Sequence, residues 1–215
     1  MKQYSTFLFD FDGTLLDSNT HVIRCFQLAF QEVLGVTLPE ETITATFGIP
    51  LAEALEDLAP AHAEELLRVY RKHSDACGMS LLQEIDGARA VLEALHARGC
   101  TNAIVTSKKE VNARAQMAHI GIDHLIDLLV GPEKTTAHKP DPAPVRYAIN
   151  ALGADPRDCL MIGDSPNDII CGKNAHVDTA GVRFTAVSLE SLEAAQPTYM
   201  IGALSELLAL AKAKA

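Results

Sequence analysis

The run Ser5–Phe11 (STFLFDF) carries apolar side chains at both odd and even positions. A strand with one face in water alternates apolar and polar residues, so this run must be covered on both faces, as in a parallel sheet flanked by helices. Short runs of the same kind recur at 102–106 (NAIVT), 124–130 (HLIDLLV), 159–163 (CLMIG) and 177–182 (VDTAGV). Amphipathic stretches of helical length, 88–98, 109–120 and 142–152, lie between them, and each is followed by a glycine suited to a left-handed C-terminal cap: Gly99, Gly121 and Gly153. Strand and helix in alternation predict an α/β fold with a doubly wound, Rossmann-like parallel sheet.

One stretch breaks the alternation. Residues 16–81 are too many for a simple crossover and contain no β-rich run, which predicts an inserted α-helical cap domain. The core is then 1–15 plus 82–215, and the cap 16–81. Within the cap the pattern predicts helices over 19–34, just after Pro39, over 51–58 and over 61–76, with Gly48-Ile49-Pro50 forcing a break. The Ala/Leu-rich tail 204–215 is expected to close the fold as a helix.

A chain of 215 residues with 48% apolar and 21% charged residues has enough apolar surface for a core of this kind, which excludes a disordered protein. Eighteen Lys and Arg stand against 28 Asp and Glu, a formal charge of −10 with no basic block, so neither a nucleic acid nor an anionic membrane surface is an expected partner. Every apolar run is too short to span a bilayer. The N-terminal segment places acids where a signal peptide needs an apolar stretch, which gives a cytoplasmic expectation. Cys25, Cys77, Cys100, Cys159 and Cys171 form no CxxC pair and read as reduced core thiols. No obligate protein partner is inferred.

Chemistry concentrates at the strand ends. Asp10-Phe11-Asp12-Gly13-Thr14 follows the first strand, where open α/β sheets place their ligands. Two carboxylates at i, i+2 on extended backbone project to one side, which allows one to act as nucleophile and the other as proton donor and acceptor. A second acidic cluster, Gly163-Asp164-Ser165-Pro166-Asn167-Asp168, follows the run CLMI. Asp10, Asp164 and Asp168 together offer the oxygen ligands that Mg²⁺ requires. Thr106-Ser107 brings hydroxyl and backbone N–H groups to another strand end, and Lys139 brings a positive charge. The eight histidines show no metal-ligand spacing, and Gly131–Thr136 lacks the full phosphate-loop pattern.

These four pieces, in this order, resemble the motifs of the haloacid dehalogenase superfamily, and the likeness covers nearly the whole chain. Motif one corresponds to Asp10, Asp12 and Thr14, motif two to Thr106, motif three to Lys139 and motif four to Asp164 and Asp168. The insertion and the segments KPDPAPVRYAINALG and NAHVDTAGVRF are similar to the phosphoglycolate phosphatase group and its bacterial pyrophosphatase branch. Asp12 argues against the dehalogenases and phosphonate hydrolases, and Thr14 against the sugar-phosphate mutases, which usually carry Val there.

The resemblance implies a Mg²⁺-dependent phosphatase acting on a small phosphorylated metabolite through an aspartyl phosphate. Asp10 is the implied nucleophile and Asp12 the acid and base, with Gly13 and Thr14 supporting them. Thr106, Ser107 and Lys139 are the implied phosphate-binding groups. The implied metal ligands are Asp10, the Asp12 backbone carbonyl, Asp164 and Asp168. The break around Gly48 is similar to the family's substrate-specificity loop, and Lys108 and Lys109 are candidates for meeting a second anionic group. Three alternatives stay open: an inorganic pyrophosphatase, a sugar-phosphate mutase, and a phospho-accepting signalling module. The signalling module is disfavoured by Asp12 and by the length of the insertion.

Overall fold

In the computed structural model, which describes residues 2–213, the chain opens with β1 (Thr6–Phe9), all four residues of which are buried. Phe7 and Phe9 enter one apolar layer and Leu8 the other, so both faces are covered. The Phe11 carbonyl then accepts the backbone N–H groups of Thr14, Leu15 and Leu16 at 3.4, 3.0 and 2.9 Å. That tight turn ends the strand and leads to β2 (Leu16–Asp17).

The insertion follows as α1 (Asn19–Leu34), α2 (Glu40–Thr44), α3 (Leu51–Leu58) and α4 (Ala63–Cys77). Pro39 and Pro50 stand immediately before α2 and α3, where a fixed φ helps start a helix. These helices enclose an apolar cluster of their own, which includes Phe26, Phe30, Leu55 and Leu66. Phe26 of α1 meets Tyr70 of α4 edge to face, with ring centroids 5.3 Å apart. The chain returns through β3 (Gln83–Glu84), which pairs antiparallel with β2 and ties the two ends of the helical unit together.

The remaining elements are α5 (Ala88–Ala97), β4 (Thr101–Val105), α6 (Glu110–Ile120), β5 (Leu128–Val130), α7 (Ala143–Leu152), β6 (Cys159–Gly163), α8 (Pro166–Asn174), β7 (Asp178–Val182), α9 (Leu189–Ala194) and β8 (Tyr199–Ile201). The six core strands form one parallel sheet in the order β5-β4-β1-β6-β7-β8. The chain builds outward from β1 through β4 to β5, then returns to the other side of β1 with β6. Strand order therefore reverses around β1, and the crevice of a doubly wound sheet opens at the carboxyl ends of β1, β4 and β6.

Several elements differ from the sequence reading. The strand expected over 124–130 is confined to Leu128–Val130, because Asp123–Leu125 forms a 3₁₀ turn. The tail is a 3₁₀ segment over Leu204–Ala209 followed by a bridge from Ala211 to Tyr4, with 214–215 outside the described residues. The ladder β2–β3 and the edge strand β8 had no visible signal, being two and three residues long. No described helix is long and apolar enough to cross a membrane.

Candidate active site

Asp10 follows β1, Thr106 follows β4 and Asp164 follows β6, so the three adjacent strands deliver one residue each to the crevice. Asp10, Asp164 and Asp168 are all buried, and each presents a carboxylate oxygen within 4.8 Å of the others. Three carboxylates stripped of water at this separation would repel strongly without a cation. Lys139 supplies part of the compensation. Its Nζ donates to Asp10 Oδ1 at 2.7 Å, to Asp168 Oδ1 at 2.6 Å and to the Val105 carbonyl at 3.2 Å.

The compensation is incomplete. Burial pushes the Asp10 carboxyl up, Lys139 pulls it down and Asp168 pushes it up again, for a net position of about 7. Burial, with Asp10 and Asp168 close by, raises Asp164 well above the carboxylate range. Burial alone would lower the Lys139 ammonium, but its two carboxylate partners outweigh that and hold it above its ordinary value. Asp10 Oδ2 and Asp164 Oδ1 accept no hydrogen bond among the described residues, whereas both oxygens of Asp168 are engaged. Free carboxylate oxygens and uncompensated negative charge are what a hard divalent cation needs, so the donor set fits one.

Local backbone chemistry explains this convergence. Asp168 is the third residue of α8 and its Oδ2 accepts from the Ser165 backbone N–H at 3.1 Å and hydroxyl at 2.6 Å, which fixes the loop carrying Asp164. Gly13 has φ of +75°, and a Cβ there would lie 2.2 Å from Asp164 Oδ2. Only glycine lets the two acidic loops approach this closely. A Cβ on Gly163 would likewise fall 2.3 Å from the Cβ of Asp168.

Asp12, like Asp10, lies beyond the last residue of β1, forms a lone bridge with Leu16 and is half-buried, and its carboxylate takes partners separate from those of Asp10. Its Oδ1 accepts from Ser18 Oγ at 2.5 Å and from Lys108 Nζ at 2.6 Å. Ser18 occupies the N-cap position of α1 yet makes no capping hydrogen bond, because its hydroxyl is turned to Asp12. Lys108 also donates to Gln116 Oε1 at 2.5 Å. Lys109 is exposed, lines the outer part of the same cleft and immediately precedes α6.

Thr106 is buried, and its Oγ1 accepts from the Lys108 backbone N–H at 3.1 Å. Ser107 lines the same cleft. Thr14 is fully buried, and its hydroxyl has no partner among the described residues, so it packs under the turn. From the helical unit, Gly48 reaches the core: its carbonyl accepts from Asn167 Nδ2 at 2.9 Å. Three residues escaped the sequence reading. Ser18 and His21 stand at the start of α1, and Thr185 donates to Asp164 Oδ2 at 3.1 Å from a loop with no motif. Nothing in the sequence marked Thr185.

A doubly wound sheet that gathers carboxylates and a buried lysine at its switch point, beneath an inserted helical cap, defines a capped α/β hydrolase. This chain belongs to the haloacid dehalogenase-like hydrolases, whose family model matches residues 7–182. A relative from Clostridium perfringens (strain 13 / Type A), bearing the name of a PpaX pyrophosphatase, is 38% identical over 208 residues, 94% of this chain and 95% of that one. Pyrophosphatase PpaX of Halalkalibacterium halodurans is 32% identical over 213 residues, covering 99% of each. Among solved structures, a haloacid dehalogenase-like hydrolase from Bacteroides fragilis superposes with a TM-score of 0.89 at 27% identity, covering 95% of this chain and 100% of that one.

Proposed function

We propose that the chain is a Mg²⁺-dependent phosphohydrolase that passes a phosphoryl group through Asp10. The observation that carries this reading is the cluster of Asp10, Asp164, Asp168 and Lys139, in which negative charge exceeds positive and two carboxylate oxygens are free. Asp10, Asp164 and Asp168, with the Asp12 carbonyl, would hold the ion. When bound, Mg²⁺ supplies the positive charge that lets an anionic phosphoryl group approach a carboxylate.

The chain's own groups do the rest. An Asp10 carboxylate oxygen attacks phosphorus, the bond to the leaving oxygen breaks, and Asp12 gives that oxygen its proton. Asp12, now a carboxylate, takes a proton from water, whose oxygen attacks the same phosphorus and releases Asp10 and inorganic phosphate. Thr106, Ser107 and Lys139 hold the phosphoryl oxygens, because phosphoryl transfer depends mainly on positioning and charge stabilisation. Asp168 keeps Lys139 and the Asp164 loop in place through the contacts it already makes. The helical cap excludes water from the cleft.

A second reading narrows the substrate to inorganic pyrophosphate, and the names of the relatives at 38% and 32% identity favour it. Phosphate release from pyrophosphate, phosphoglycolate and para-nitrophenyl phosphate, with Mg²⁺ and with EDTA, tests both readings. Metal-dependent turnover of at least one supports the phosphohydrolase. Stoichiometric labelling of Asp10 without turnover defeats it in favour of a phospho-accepting module.

A further inference from the structure

The cleft above the acidic cluster has a volume of about 450 Å³, and its lining changes character with distance from the sheet. The helix α1 leaves the core at its first residue, and α4 returns to the core at its last, so position along each helix measures distance from the reacting phosphate. The core end is polar: Ser18, His21 and Ser74 line it, with His21 Nε2 3.0 Å from Ser74 Oγ. Farther along the helices the lining is mostly apolar, with Val22 and Phe26 on α1 and Leu67 and Tyr70 on α4 beside the exposed Arg71, while Phe47 and Leu51 flank Gly48 where the loop meets the core. Ser18 to Phe26 is eight residues, about 12 Å of helix at 1.5 Å each.

This apolar lining is open to the cleft while the cap rests on the core. The Asn167–Gly48 contact holds the loop down, yet Val22, Phe47, Leu51 and Leu67 are only partly buried. Apolar surface facing a cleft gains from being covered by a ligand, and the chemistry of a small-molecule site is set by such walls with a few polar groups for orientation. Pyrophosphate would occupy the polar end alone and leave the apolar end uncovered.

We infer that the preferred substrate is a phosphate monoester whose alcohol carries an apolar, ring-sized group, seated between Val22, Phe26, Leu67 and Tyr70. The inference rests on the phosphohydrolase reading and gives that site its substrate class. The leaving oxygen stays beside Asp12, the carbons next to it pass His21 and Ser74, and the apolar end enters the cap.

Esters with the same kind of leaving group isolate the pocket from the chemistry. The full chain with Mg²⁺ is assayed on ethyl phosphate, 2-hydroxyethyl phosphate, 2-phenylethyl phosphate, phosphoglycolate and pyrophosphate. The expected result is kcat/KM for 2-phenylethyl phosphate at least tenfold above that for ethyl phosphate and above that for pyrophosphate. Leu67→Asn, with its melting temperature measured to establish folding, should lower the phenylethyl-to-ethyl ratio at least fivefold. Val22→Asn provides the same reading should Leu67→Asn fail to fold. Equal kcat/KM for the phenylethyl and ethyl esters, or a preference for pyrophosphate, overturns the inference and leaves the phosphohydrolase standing. No metal-dependent turnover of any of the five overturns the phosphohydrolase, and the inference falls with it.

Discussion

The Lys139 ammonium stands 2.7 Å from Asp10 although the two residues are 129 positions apart, and both side chains are at least nine-tenths buried. Lys139 also bridges Asp10 to Asp168, whose side chain is 1% exposed. One cation thus serves two buried carboxylates, with a third, Asp164, close by and unpaired with it.

Replacing that cation should be damaging in two separable ways. Lys139→Met leaves buried carboxylates without their partner, which should cost about 3–5 kcal/mol of stability in the metal-free protein. It also removes a phosphoryl-binding charge, with turnover expected to fall on the order of 10²–10³-fold. Urea unfolding in EDTA measures the first effect and steady-state phosphate release the second. A Met variant as stable and as active as the parent would refute both.

Asp10→Asn should separate activity from stability. Turnover is expected to drop on the order of a thousandfold or more, because the amide is no nucleophile. Stability of the metal-free variant at pH 8 should equal or exceed that of the parent, since the environment already favours an uncharged group at this position. A large loss of stability, or hydrolysis persisting in a sample checked for deamidation, would count against the assignment.

The pH dependence follows from the raised carboxyls. The ordinary Asp value is about 3.9, whereas Asp10 in the metal-free fold lies at about 7. Between these values the folded protein binds more protons than the unfolded chain, so this group's contribution to stability falls as pH rises through that window. Thermal unfolding in EDTA should show a lower melting temperature at pH 8 than at pH 5.5 from this source, and Mg²⁺ should stabilise more at pH 8. Equal Mg²⁺ stabilisation at both values would argue against metal binding by these carboxylates.

At Gly48, with φ of +82°, a Cβ would lie 2.8 Å from the Cβ of Ser165. Gly48→Val should therefore add about 1–3 kcal/mol of local backbone strain and press the cap off the core. Turnover should fall for large and small substrates alike, because closure serves them all. A substrate-selective loss would show the loop to read the leaving group instead.

Lys108 and Lys109 should behave differently from each other. Lys108 is bound to Asp12 and Gln116, so Lys108→Met is expected to lower kcat even on para-nitrophenyl phosphate by disturbing Asp12. Lys109 is exposed, and Lys109→Met should change KM for anionic substrates by a few-fold at most, in line with a solvated charge. Identical kinetic profiles for the two variants would remove the distinction. From adjacency alone the two lysines looked equivalent; both line the cleft, and what divides them is that Lys108 is held by Asp12 and Gln116 while Lys109 is exposed.

Residue pattern accounts for the parts of this protein that are local. A run apolar on both faces makes a buried parallel strand, glycines such as Gly121 and Gly153 end helices in the left-handed region, and a long helical stretch between strands becomes an insertion. It also determined which strand ends carry carboxylates, because acids after a buried run must emerge where the sheet stops. What those residues meet depends on how the strands and helices pack. The sheet order sets β1 between β4 and β6 and so brings Asp10, Thr106 and Asp164 together, and no local pattern records that neighbourhood. Ser18 and Lys108 meet at the Asp12 carboxylate from two separate parts of the chain, and Thr185 reached Asp164 from a loop without a motif. The polar-to-apolar gradient of the cleft arises because α1 and α4 run in opposite directions, a relation that exists only once the two helices pack. Periodicity and capping act within a few residues and are written in the chain. Partners a hundred residues apart are chosen by which strands and helices come to lie side by side.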